Sequence, residues 1–422
     1  PAVVGAKAAS LARARQLGLP VLDGFALSVE ASRPALAGGA QALAESNSGR
    51  ARATVTGGSL DPVLTSVLAA SAANAGSRLV VRSSAPFEGD GAWAGALASY
   101  AGMAPDEVAL GVLGCWASVY APDPIERARA TGVDPAVSGV AVLVQREIDP
   151  EYGGVATVAA SGTVTIVAIA GPPVAIVSGW ERGHVIVVEG GGAEPAEAVD
   201  AIGPGVVDEV AGLAREVAAR IGCHHIEWAY SEGQTWLLQA QPRPPAPTRS
   251  HTQPPQPSQT AESDYPDPAE LVRLAEEEAS RKGSAGRFGL TRSEPALYEA
   301  VSALGVRHTG TPAAGGWGAG RIHFVRDGDD AARGRPRQIV ASVYPLNNLA
   351  PLLWDAAGLV TTGGSPGAHL FEVAAWLGVP ALCGVDLEAA AGISLAELTE
   401  STRLVGAIDG DGGTLTLLEA AL

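Results

Sequence analysis

Cysteine is nearly missing from this chain: Cys115, Cys223 and Cys383 are the only three among 422 residues. They stand far apart with no metal-ligand spacing, so they read as small apolar residues of a reducing compartment. Positive charge is also short. Against 45 acidic residues there are 28 basic ones, a net charge of −17, and a duplex-binding surface needs the opposite balance. Any anionic ligand must then be met by local cations. No apolar run approaches the roughly 18–20 residues of a membrane span. The opening Pro1-Ala2-Val3-Val4 has neither a basic n-region nor a signal-type core. These absences lead us to expect a cytoplasmic protein with no nucleic-acid or membrane partner. Charged residues are scarce at 17% while hydrophobic ones reach 47%, which excludes a largely disordered chain. The length allows two or three domains with real cores.

Residues 4–18 read as a helix ended by Gly18 with Pro20 beyond, followed by an extended stretch from Val21 to Leu27. Residues 32–76 read as helical with a break near Gly57-Gly58. Leu79-Val80-Val81 reads as a buried strand leading into Arg82-Ser83-Ser84 and a flexible, Gly-rich loop from Glu88 to Gly95. Helices are expected from about Pro105 to Val119 and near Ile125–Thr131. From Val140 the pattern turns to strands, at 140–144, 155–160, 164–168 and 185–188. A helix spans roughly Val206 to Ile221. A hairpin closes this half: Ile226 to Tyr230, a polar turn through Gly233, and Trp236 to Gln241.

Pro242 to Glu262 holds seven prolines and almost no aliphatic residues. It reads as a semi-rigid linker able to reach roughly 60 Å at about 3.1 Å per residue. Residues 264–304 read as helical, with Glu276-Glu277-Glu278 and Arg281-Lys282 as a solvated face. The last domain begins near Thr309. In it, the apolar strand Gly358-Leu359-Val360-Thr361 runs into Gly363-Gly364-Ser365-Pro366-Gly367-Ala368-His369. An apolar helix follows from Leu370 to Leu377 and ends at Gly378, with Pro380 just beyond. Asp409 to Gly413 reads as a hairpin turn rather than a calcium loop, since the later ligands are lacking.

Three constellations could carry chemistry. With a turn at 231–235, Tyr230 faces Trp236, Trp228 faces Leu238 and Glu227 lies opposite Gln239, the first two pairs sharing one face and Glu227 and Gln239 the other. The Glu227–Gln239 pair, with Gln241 beside it, reads first as a polar, solvated sheet face and second as hard oxygens for Mg²⁺. Arg82 before a Gly-rich loop suits phosphate recognition, and suits equally an ordinary surface arginine. His369 at the mouth of a helix reads either as a surface residue or as a nucleophile whose phosphate would sit well against backbone N–H groups. Lys7 alone carries no signal, and His184, His224, His225, His308 and His323 have no ligand spacing.

Taken in order, these pieces resemble a known superfamily. Val4-Gly5-Ala6-Lys7-Ala8-Ala9-Ser10-Leu11, then Gly18-Leu19-Pro20-Val21 and Gly24-Phe25, resembles the opening of phosphoenolpyruvate synthase and pyruvate phosphate dikinase. Val81-Arg82-Ser83-Ser84-Ala85 with Trp93-Ala94-Gly95 resembles their nucleotide-binding loop. Ile226-Glu227-Trp228-Ala229 and Leu238-Gln239-Ala240-Gln241-Pro242 resemble the end of their ATP-grasp domain. Thr361-x₇-His369 followed by Leu377-Gly378-Val379-Pro380-Ala381 resembles their mobile phosphohistidine segment. The resemblance covers residues 1–242 and about 308–422.

It implies an α+β, α/β chain: an ATP-grasp domain over 1–242, a Pro-rich linker over 243–263 and a helical segment over 264–307. A β/β/α swivelling phosphohistidine domain then occupies 308–422. By the same resemblance, Lys7, Arg82, Ser83, Gly95, Glu227, Gln239 and Gln241 bind ATP, and Glu227 and Gln239 hold Mg²⁺. His369 takes the β-phosphoryl group as AMP leaves, within a loop of Thr361, Gly363, Gly364, Ser365 and Gly367, and passes it to an acceptor. Imidazole suits that task, as a nucleophile with a reference pKa of about 6.5.

The departures are specific. His225 stands where an acidic residue is usual, Gln241 and Asp123 where arginines are usual, and Gly171-Pro172-Pro173-Val174 where Gly-Leu-Gly-Glu is usual. Ala375-Trp376 replaces Arg-Glu. Each lost arginine removes a charge-assisted contact worth about 1.5–3 kcal/mol. No pyruvate-binding barrel follows His369, and the large helical substrate domain of rifampin phosphotransferase has no room here. The expected function is therefore a compact ATP-dependent phosphotransferase acting on a small-molecule or protein acceptor. The alternatives are a degenerate, non-catalytic nucleotide-binding module and the ATP half of a split synthase.

Overall fold

The computed structural model describes residues 1–242, 254, 270–275, 293–326, 337–395, 397 and 404–418. The expected Pro-rich linker lies almost wholly outside this set. The expected helical segment is described, as helix, at 270–275 and Ser293–Leu304. The chain divides into two units, Pro1–Ala175 with Gly183–Arg243, and Ile176–Arg182 with Pro244–Leu422. Both mix helices with sheets.

In the first unit, α1 (Gly5–Gln16) precedes β1 (Gly24–Leu27), and α2 (Val29–Glu45), α3 (Ser48–Thr56) and α4 (Pro62–Ala75) follow. β2 (Leu79–Ser84) and β3 (Ser99–Met103) then lead to α5 (Val108–Ala117), α6 (Pro122–Thr131) and β4 (Ala141–Arg146). The helical stretch expected over 32–76 breaks twice, because Asn47 caps α3 by accepting from Arg50 N–H, and Asp61 caps α4 with Pro62 at its first position. The four strands form an antiparallel sheet in the order β1-β4-β2-β3. Its core packs Leu36 of α2 and Val108, Val112 and Trp116 of α5 against Leu79, Val81, Val142 and Val144. β3 has no counterpart in the sequence reading, because Ser99 to Gly102 are all exposed and give no alternation.

The second sheet of this unit uses β5 (Tyr152–Val158), β6 (Val164–Ala170), β7 (His184–Glu189), β8 (Gly192–Glu194), β9 (Cys223–Ser231) and β10 (Gln234–Pro242). Its order is β10-β9-β5-β6-β7-β8. Between β8 and β9 run α7 (Ala196–Ile202) and α8 (Pro204–Ile221). Val207, Val210, Ala211, Ala214 and Val217 recur every three or four residues along α8 and pack with Leu11 of α1 on Ile166, Ile186, Trp228 and Leu237. Gly222, in the left-handed conformation, ends α8.

In the second unit, α9 (Ser293–Leu304) precedes β11 (Val306–Thr309), β12 (Thr311–Ala314), β13 (Trp317–Val325), β14 (Ile339–Ser342) and β15 (Gly358–Thr361). Then come α10 (His369–Leu377), β16 (Ala381–Cys383), β17 (Val405–Asp409) and β18 (Thr414–Leu418). The described strands order as β11-β18-β17-β13-β14-β15-β16-β12, with β13 to β16 parallel. Asp409 to Gly413 is a hairpin turn, its Asp409 carboxylate accepting from the N–H groups of Asp411 and Gly412.

Candidate nucleotide site and histidine loop

The hairpin β9–β10 is built differently from its sequence reading, and the difference makes the site. Its turn has two residues, Glu232 and Gly233, both at positive φ (57° and 75°), so Tyr230 faces Thr235 and Trp228 faces Leu237. The expected five-residue turn and the partners Tyr230–Trp236 and Trp228–Leu238 are therefore corrected by one position. Leu238 then bulges out of register, and beyond it Glu227 and Gln239 are paired as expected. Trp228 and Leu237 go into the core, while Glu227 and Gln239 share the opposite face.

Arg82, on β2, reaches that face. Its Nη1 donates to the Leu238 carbonyl at 2.9 Å, and its Nη2 donates to Gln239 Oε1 at 2.7 Å and Glu227 Oε2 at 3.2 Å. The bulge frees the Leu238 carbonyl from the strand ladder to accept this bond. Two oxygens thus converge on one cationic nitrogen, with the Arg82 and Glu227 side chains 17% and 7% exposed. Hard oxygens set this way fit Mg²⁺, which takes one or two protein ligands and completes its shell with phosphate and water. Among the described residues no cluster of three or more His, Cys, Asp or Glu forms a larger cage. Gln241 stands two residues along β10, opposite His225. His225 Nδ1 lies 2.9 Å from Thr157 Oγ1 on the neighbouring strand.

Lys7 is set by the start of α1. Gly5 has φ of 75°, and a Cβ there would stand 1.7 Å from the Ser84 carbonyl oxygen, so only glycine allows this approach. Ala6 N–H then donates to Ala85 O, while Ser84 Oγ accepts from Ala8 N–H and donates to Val4 O. Stitched to the end of β2, the helix directs Lys7 Nζ to Glu88 Oε1 at 2.5 Å and toward Ser83 O at 3.5 Å. Ser83 is fully buried, and its Oγ makes no hydrogen bond.

The loop from Glu88 to Gly95 is held rather than loose. Pro86–Asp90 is a 3₁₀ turn, with Glu88 Oε2 accepting from Ala85 N–H at 2.6 Å. At the other end, buried Arg127 donates through Nη1 to the carbonyls of Ala92 (2.6 Å) and Ala94 (3.1 Å). Its Nε and Nη2 grip both oxygens of Asp123, each at 2.9 Å. Asp123 is thus one half of a clamp on this loop, which ends at Gly95 with φ of 64°. Glu88 and Arg127 were missed in the sequence. Pro at the first and Glu at the third position of a turn, and Asp–Arg four apart on a helix, were the available signals. One further signal pointed at Lys7: the chain contains just two lysines, Lys7 and Lys282.

In the second unit, His369 opens α10 after a loop that leaves the carboxyl end of β15. Thr361 Oγ1 donates to Gly363 O at 2.7 Å, Ser365 Oγ accepts from Gly367 N–H at 3.2 Å, and Ala368 N–H donates to Ser365 O. Gly364 has φ of 85°, with Pro345 against the space a Cβ would fill. The buried Nδ1 of His369 makes no hydrogen bond and lies 3.4 Å from Glu372 Oε1, one turn along the helix.

Residues 1–199 match the pyruvate phosphate dikinase AMP/ATP-binding domain family. Over those residues the match supports the phosphoenolpyruvate synthase and pyruvate phosphate dikinase superfamily. The Lys7, Arg82 and Glu88 positions all fall within the matched dikinase domain, and β9 and β10 lie beyond it. Nothing among curated proteins matches the chain. A solved structure of Thermococcus kodakaraensis aconitase X (holo-form) is similar over 27% of this chain and 100% of its own, at 16% identity and a TM-score of 0.19.

Proposed function

We propose that the chain is an ATP-dependent phosphotransferase of the dikinase type, cleaving ATP to AMP and phosphate through a phosphohistidine at His369. The observation that carries this reading is the convergence of Glu227 and Gln239 on the Arg82 guanidinium, inside a unit that contains a dikinase-type AMP/ATP-binding domain. The guanidinium fork matches phosphate oxygens as well as it matches these two. In the proposed ATP complex Arg82 turns to the phosphates, and Glu227 and Gln239 would hold Mg²⁺, which when bound neutralises phosphate charge. Lys7 meets the same polyphosphate as a point charge.

His369 then attacks the β-phosphorus and the bond to the α-phosphate oxygen breaks, releasing AMP. Hydrolysis of the outer phosphate leaves phosphohistidine, which transfers its phosphoryl group to a small-molecule or protein hydroxyl or carboxylate. With Nδ1 buried beside Glu372, Nε2 is the nitrogen assigned to the attack. The proposed arrangement is an ATP-grasp domain over 1–242, linker segments over 243–307, and a swivelling phosphohistidine domain over 308–422.

A binding-only reading draws on Gln241 and Asp123. Asp123 occupies a position where the superfamily uses arginine, and the donors of Arg127 are already engaged by the loop. Incubation with β- and γ-labelled ATP separates the two. The proposal expects acid-labile β-label on the chain, AMP release, and loss of both in His369→Ala. Release of ADP, or label that survives His369→Ala, would refute it.

A further inference from the structure

We infer that Glu88 is a positioning residue of the nucleotide site, acting through Lys7; the inference rests on the ATP reading above. Each oxygen of its carboxylate has one partner. Oε1 takes the Lys7 ammonium at 2.5 Å and Oε2 takes the Ala85 N–H at 2.6 Å. The Glu88 side chain is 2% exposed and that of Lys7 14%. A carboxylate this buried is costly unless both oxygens are satisfied. The two bonds join three pieces of chain: the start of α1, the end of β2 and the loop between β2 and β3.

The choice of cation supports a role beyond packing. Twenty-six of the 28 basic residues are arginine, and Lys7 is one of only two lysines. An arginine forking onto both Glu88 oxygens would have its guanidinium plane fixed by that pair, so its remaining N–H groups could not turn freely toward a ligand. A lysine has three donors on a rotatable ammonium, and Glu88 takes one of them. With the second directed toward Ser83 O, the remaining capacity is what a phosphate oxygen would use. Glu88 therefore holds Lys7 in place without consuming it. Arg82 behaves oppositely, since the contacts it makes now are those it must exchange on nucleotide binding.

Two measurements on the full chain test this. In the first, an amine-acylating reagent is applied without nucleotide and modification of Lys7 is followed by mass spectrometry, with Lys282 as the internal standard. Glu88→Gln is expected to raise the Lys7-to-Lys282 labelling ratio several-fold, and Glu88→Asp to bring it part-way back. In the second, ATP and AMP binding are measured calorimetrically for Lys7→Met, Glu88→Gln and the double variant. Each single change should weaken ATP binding about 10- to 100-fold, the range for one charge-assisted contact. The double variant should be no weaker than Lys7→Met alone. If Glu88→Gln does not fold, Glu88→Asp takes its place in both measurements.

An unchanged labelling ratio in a folded Glu88 variant, or additive losses in the double variant, would overturn the positioning role. If the unaltered chain binds neither nucleotide, the ATP reading falls instead; the labelling ratio distinguishes the two failures, because it needs no ligand.

Discussion

Lys7 meets Glu88 across 81 positions of sequence and Arg82 meets Glu227 across 145, whereas the side-chain contacts of Thr361, Ser365 and His369 span two or three. The first unit builds its chemistry from residues that come together only when both sheets, α1 and the 86–95 loop are formed. The second carries its chemistry on one loop and the first turn of one helix. A site of the first kind transmits damage from anywhere in its unit. A site of the second kind depends on its own loop and helix for its side-chain geometry, as the proposed transfer through His369 would require.

The largest effect should therefore be the most local. His369→Ala is expected to abolish labelling from ATP while leaving ATP affinity within about twofold, since residues sharing no partner act independently. A large fall in affinity would break the division of labour between the units.

Glycine substitutions sharpen the same contrast. Gly5→Ala would drive a Cβ to 1.7 Å from the Ser84 carbonyl at φ of 75°. It should cost about 2–4 kcal/mol from strain and overpacking together, and reduce ATP binding because α1 carries Lys7. Gly364→Ala meets the Pro345 ring at 2.3 Å and should cost about 1–3 kcal/mol, slowing His369 labelling with ATP affinity kept. Urea unfolding and calorimetry read both. Equal losses of ATP affinity in the two variants would remove the contrast.

Arg82→Gln comes next. It leaves Glu227 without its cation, and the expected destabilisation is about 1–3 kcal/mol by urea unfolding, discounted because the Arg82 side chain keeps 17% of its exposure. Arg82→Lys should not restore the loss, as one ammonium cannot span the Leu238 carbonyl and both side-chain oxygens in the guanidinium's geometry. Full recovery in Arg82→Lys would mean that charge alone, not the fork, matters here.

What the sequence disclosed follows the same line. The apolar strand, the glycines and the histidine before an apolar helix predicted the 358–378 segment closely, because its determinants are neighbours in sequence. The α8 helix was legible for the same reason. The hairpin was legible only up to its face assignment. Periodicity alone does not reveal the Leu238 bulge, and a one-residue shift in the turn moves Trp236 from the apolar side to the side of Glu227. Glu88 and Arg127 lay further from reach. Both are buried charges that bind a second stretch of chain, Glu88 the Lys7 ammonium and Arg127 the Ala92 and Ala94 carbonyls, and nothing in local hydropathy separates a buried, paired charge from a solvated one.

The buried thiols give the smallest and most graded test of the two units. Burial pushes the Cys115 thiol of the first unit up to about 12 and the Cys383 thiol of the second up to about 11. In the unfolded chain both ionise near the ordinary thiol value of about 8.5. Above that pH the unfolded state has released protons that the folded state keeps, so stability is fully present below about 8.5 and falls as pH climbs toward the folded values. Urea midpoints at pH 8 and pH 10 should therefore drop in the parent chain and drop less in Cys115→Ala or Cys383→Ala. An identical pH slope in the parent and in Cys115→Ala would mean that this thiol meets water in the folded chain, against its position on the buried face of α5 in contact with the Val81 carbonyl.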